Sequence, residues 1–227
     1  MKRPLFSLLV AATLLAGCAE SVLAPVGGEA QFALLNALGA DESTTLSLDG
    51  ATLSLPASGA RSSRAIPAGT HRIEARGAAG NLVAALDFTV ADGARRSTVI
   101  ARSGPGAIAL LMTTDTASLP PVGAAKVRVI HAVDGVEPMK AWLRLVGAPM
   151  DSSAGFVTPF IRGAGTNPEF PGYAVRGPGS YLVSGTSLAT GEMLVEGTVQ
   201  LSAGQVWSAV LARTAAGALE FKMVREN

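Results

Sequence analysis

Two histidines, His71 and His131, and one cysteine, Cys18, are the residues best suited by type to metal or nucleophilic chemistry. His71 sits in an expected strand after a turn, and His131 ends another. They fall at non-equivalent places in the repeat described below, so they do not mark a duplicated site. A metal site of two histidines with carboxylates stays open, but no close ligand spacing supports it. The plainer reading is that His131 hydrogen-bonds the backbone at a strand end. Serine hydrolysis needs a Ser beside a His base, often within Gly-x-Ser-x-Gly, and Gly185-Thr186-Ser187 lacks that frame. Glycoside hydrolysis needs two facing carboxylates. Asp134 and Glu137 share a loop and Asp151 and Glu169 lie apart from it, with nothing to pair them. Calcium suits such oxygen-rich loops better, although the EF-hand spacing is missing. Gly104-Pro105-Gly106 and Gly163-Ala164-Gly165 have no Lys-Ser/Thr partner and are not phosphate loops. No catalytic residue, metal ligand or cofactor is therefore expected.

Binding is the better prospect. Phe156, Phe160, Phe170 and Tyr173 fall in a tract rich in Pro and Gly, and loops on rigid β scaffolds often carry recognition. These four residues and His131 are the candidate binding residues. The competing reading folds the aromatics back over the end of a core. Arg61, Arg64, Arg72, Arg76, Arg95 and Arg96 give the first half a basic flavour, but its acidic residues offset them, which suits ordinary solvated surface. Arg95-Arg96 could instead meet lipid phosphates. Arg102 and Arg213 read as structural, flanking a hairpin in each half.

The elements that must position these residues are strands. Hydrophobic residues make up 48% of the chain and charged residues 15%, which excludes a disordered chain. A formal net charge of +1 argues against nucleic-acid binding. Short apolar segments alternate with turn signals: Phe32 to Ala37, Thr45 to Gly50, Thr52 to Leu55, His71 to Ala75, Leu82 to Val90, Ser97 to Ala101 and Ile108 to Met112. No segment has a capped helical period. The second half repeats the first. Val99-Ile100-Ala101-Arg102 meets Val210-Leu211-Ala212-Arg213, and Leu34-Leu35-Asn36-Ala37 meets Val129-Ile130-His131-Ala132. The growing offset places an insertion within 146–176 of the second copy. The expected organisation is a first β-sandwich over 29–117, a linker over 118–123 and a second over 124–227. Both are expected to be antiparallel and immunoglobulin-like.

Two resemblances add to this. Lys126-Val127-Arg128-Val129-Ile130-His131-Ala132, the strand Ala141 to Leu145, the Gly179-Ser180-Tyr181 turn and Ser202-Ala203-Gly204-Gln205 resemble the family called domain of unknown function 4397. The likeness is good in the second half and looser in the first, where Asn36 replaces the His. It implies secreted or surface-attached β-sandwich modules, and no enzymatic activity. At the N-terminus, Lys2 and Arg3 precede an apolar run too short for a bilayer span, as in a secretory signal. Leu15-Ala16-Gly17-Cys18 resembles the lipobox of bacterial lipoproteins. That resemblance implies a signal peptide over 1–17, a lipid on Cys18 and a tether over 18–28. Ala19 resembles the signal for the outer membrane in Gram-negative cells.

The resulting expectation is a non-catalytic, lipid-anchored cell-envelope protein, outer-membrane rather than inner if Gram-negative. Its partners would be the membrane and another envelope protein, a polysaccharide or peptidoglycan. A metal-dependent binder or enzyme using His131 and the insertion, and a passive spacer, are the alternatives.

Overall fold

The structure is a computed structural model that describes residues 28–39, 43–114, 119–149, 156–160 and 173–227. The all-β expectation holds: every regular element among the described residues is a strand. Eight belong to the first half: β1 (Glu29–Ala37), β2 (Thr45–Leu48), β3 (Ala51–Leu53), β4 (Arg61–Pro67), β5 (Gly69–Arg76), β6 (Leu82–Val90), β7 (Arg95–Gly104) and β8 (Ala107–Thr114). Eight follow: β9 (Ala125–His131), β10 (Met139–Leu145), β11 (Phe156–Phe160), β12 (Ala174–Arg176), β13 (Gly179–Ser187), β14 (Met193–Leu201), β15 (Val206–Arg213) and β16 (Leu219–Arg225).

They form four sheets of four. The orders β4-β1-β7-β8 and β3-β2-β5-β6 recur eight strands later as β12-β9-β15-β16 and β11-β10-β13-β14. Register recurs too. Leu35 faces Val99 across the parallel pair β1–β7, and Ile130 faces Val210 across β9–β15. The order departs from the immunoglobulin arrangement expected from the sequence. That arrangement puts strands one, two, five and four in one sheet and three, six and seven in the other. Here the first strand leaves the second and lies between the fourth and the seventh.

Local chemistry explains the hairpins. Asp49 and Gly50 both have positive φ, 51° and 80°, and they join β2 to β3 with Leu48 opposite Ala51. A two-residue loop with both residues left-handed matches strand twist, and Asp-Gly is a preferred pair for it.

Three apolar layers hold the sheets. Phe32, Leu34, Leu46, Ile73, Phe88 and Ile100 fill the first sandwich, with Phe32 and Phe88 stacked at 5.6 Å. Val127, Leu143, Val183, Leu211 and Phe221 fill the second. A third layer lies between the halves: Leu35, Val99 and Ala109 from one meet Ile130, Val210 and Val224 from the other. The sheets containing β1 and β9 are therefore covered on both faces. This is why burial runs nearly unbroken along the middle of β1, β7, β9 and β15 instead of alternating.

Candidate functional site: a cleft at the open edge of the first sandwich

On one side the first sandwich closes, with β6 packed against β8. On the other, β3 has only three residues and leaves β4 uncovered. A cleft of about 330 Å³ opens there, lined by Phe32, Leu34, Leu53, Thr52, Ser54, Ser62, Ser63 and Arg64. That size is within the usual range for small-molecule sites.

Register explains its chemistry. Ser62 lies opposite Leu34 and Arg64 opposite Phe32 across the β1–β4 pair. Cross-strand partners share a face. Ser62 and Arg64 therefore occupy the core side of β4, where a closed sandwich would carry apolar residues. Phe32, Leu34 and Leu53 are buried and form the floor. Among the described residues, the Arg64 side chain has no hydrogen bond or ion pair, unlike most of the described arginines. Arg72 bonds Glu74 and Asp87, Arg144 bonds Glu196, and Arg213 donates to the Gly217 carbonyl.

Sequence reasoning did not mark β4 as a strand and counted Arg64 only among the basic residues of the first half. The segment Arg61–Pro67 puts Ser and Arg where alternation would show apolar residues, so the periodic signal fails where the cleft lies.

His131, Tyr173 and His71, singled out from the sequence, lie elsewhere. His131 is 1% exposed, and its Nδ1 accepts from the Val133 N–H at 3.3 Å. Asn36, its counterpart in the first half, accepts from the Leu38 N–H at 2.9 Å through Oδ1. Both side chains thus serve a backbone donor two residues on. The Asn–His exchange between halves preserves one acceptor.

Tyr173 donates to Glu226 Oε2 at 3.0 Å, and the Arg128 guanidinium lies 5.0 Å from its ring centroid. Arg128 Nε donates to Glu226 Oε1 at 2.9 Å and to Ser208 Oγ at 2.7 Å. The Ser208 hydroxyl also donates to Glu226. Arg61 reaches across from the first half to the Glu226 carbonyl at 3.0 Å. Tyr173 is therefore built into a buried ionic cluster beside the seam. Phe156 and Phe160 fall on β11, which pairs with β10. Phe170 and Cys18 lie outside the described residues.

His71 belongs to a different cluster. Its Nδ1 is 2.7 Å from Asp49 Oδ2 and its Nε2 is 2.9 Å from the Pro67 carbonyl. Burial opposes the charged imidazolium. The bonds to Asp49 and Pro67, with the attraction of the carboxylate, outweigh it and hold the His71 pKa above its usual value. Burial likewise opposes ionised Asp49, but bonds from His71 and the Arg72 N–H and the attraction of His71 hold its pKa below the usual carboxylate value. Among the described residues no three His, Cys, Asp or Glu side chains gather as metal ligands would.

No curated protein matches this chain in sequence. A solved structure described as "The Bacillus anthracis TIE protein" aligns with 82% of this chain and 34% of its own, at 8% identity and a TM-score of 0.26. The chain therefore spans about a third of that protein's length. A family profile, "Domain of unknown function (DUF4397)", matches residues 30–139, just under half of the chain. The matched stretch starts in β1, takes in the cleft and β9, and stops at Met139. It therefore falls mostly on the half where the sequence showed the looser likeness. Residues 30–139 thus carry the likeness to domain of unknown function 4397 that the sequence motifs suggested.

Proposed function

We propose that this chain is a non-catalytic, lipid-anchored module of the cell envelope, built as two tandem β-sandwiches, that binds a ligand or partner at its surface. The observation that carries the reading is the cleft at Arg64. It is a concave site on a rigid β scaffold, with polar side chains that no group among the described residues engages. The Leu15-Ala16-Gly17-Cys18 motif supports the anchor, since several acyl chains hold a folded domain firmly on a membrane. An outer-membrane location, and contact with an envelope protein, a polysaccharide or peptidoglycan, follow from the same reading. Against the alternative use of His131 in a metal or catalytic site, its Nδ1 is already engaged by the Val133 N–H.

Lipid labelling and in-cell cross-linking test the proposal together. The native chain is expected to incorporate labelled palmitate, to sediment with membranes and to capture a defined envelope component. Cys18→Ser is expected to lose the label and the membrane association. A labelled Cys18→Ser chain would refute the anchor, and an anchored chain that captures nothing would favour a passive spacer.

A further inference from the structure

We infer that the cleft at the β3–β4 edge binds a carboxylate-bearing sugar, a uronic acid unit, through Arg64; this rests on the binding role proposed above. Among the described residues the cleft is lined by one cation and no acidic side chain. A guanidinium matches a planar carboxylate in two parallel hydrogen bonds, and one positive charge balances one carboxylate. A phosphate monoester, with nearly two negative charges, would call for more cationic partners than the lining supplies. Beside Arg64 stand Ser54 and Ser62, neither of which has a side-chain hydrogen bond among the described residues. Hydroxyls donate and accept equally well, which suits the mixed donors and acceptors of a sugar ring. Phe32, Leu34 and Leu53 supply an apolar floor for its C–H face.

Comparison of the two halves argues that this chemistry is particular to the first. Arg64 faces Phe32 across β1–β4, and the corresponding pair across β9–β12 is Ala174 and Val127. Ala174 packs on the second core. The same position thus carries a small apolar side chain in one half and, in the other, a guanidinium with no partner among the described residues. An inward-facing charge on an edge strand also discourages pairing with a further strand, which disfavours an added peptide strand as the occupant.

Isothermal titration of the whole protein with glucuronate, a tetragalacturonate, glucose and glucose 1-phosphate tests the inference. Both uronates are expected to bind and glucose to fail. Tighter binding of the tetramer would identify a polysaccharide as the source, and equal binding per unit the free sugar. Arg64→Met is expected to weaken uronate binding by about tenfold or more. Its unchanged melting temperature would show that the exposed position is not needed for folding. Absence of uronate binding, equal affinity in Arg64→Met, or preference for the sugar phosphate would overturn the inference. Envelope capture that persists in Arg64→Met would overturn the sugar site while leaving the binding role standing.

Discussion

At the scale of single residues, the exchange of Asn36 for His131 shows how little a repeat must conserve. What recurs is an acceptor placed to receive the N–H two residues on. A buried backbone donor without a partner costs about 1–3 kcal/mol. His131→Asn is therefore expected to keep most of the stability, whereas His131→Leu should lose roughly that amount despite similar bulk. Chemical denaturation of the two variants checks this, and equal losses would refute the shared role. The sequence showed that Asn36 and His131 correspond, but not why. The reason is a side-chain contact with the following turn, which no periodicity records.

At the scale of elements, His71 ties β5 to the β2–β3 turn through Asp49, so this tether depends on two titrating groups. The His71 pKa is raised from 6.5, so its contribution is complete below that value and is lost as pH rises through the raised pKa. The Asp49 pKa is lowered from 3.8, so its contribution is complete above that value and is lost as pH falls through the lowered pKa. The tether is fullest between these limits. The melting temperature is expected to be higher at about pH 5.5 than at about pH 8.5, and Asp49→Asn should flatten that difference. A flat profile in the native chain would exclude the tether as a source of stability.

The strands themselves were unevenly legible. Leu82–Val90 is a strand with the limits its sequence suggested, because turn signals bracket it. Thr45–Leu48 was visible through alternation and the Asp-Gly that follows. β4 was not, because Ser62 and Arg64 interrupt its apolar face, and those two residues make the cleft polar. The strand order was hidden as well, since the parallel β1–β7 pair joins segments about sixty residues apart.

At the scale of the whole molecule, the layer between the halves decides how the protein unfolds. Leu35, Val99, Ile130 and Val210 are fully buried in it. Neither half can keep its fold without its neighbour unless that surface is left in water. A single cooperative calorimetric transition is expected for the whole chain. Leu35→Asp would bury a charge in the seam and should split the transition or lower it sharply. Two independent transitions in the native chain would refute the coupling.

The same layer has a consequence for biosynthesis. A ribosome releases the first eight strands before the last eight exist, so the face of β1 and β7 emerges with nothing to cover it. During that interval the nascent chain presents an apolar sheet of the sort that attracts chaperones and other unfinished chains. A message cut short within the second half would leave that face bare permanently, and its product would be a target for proteolysis rather than a smaller working protein.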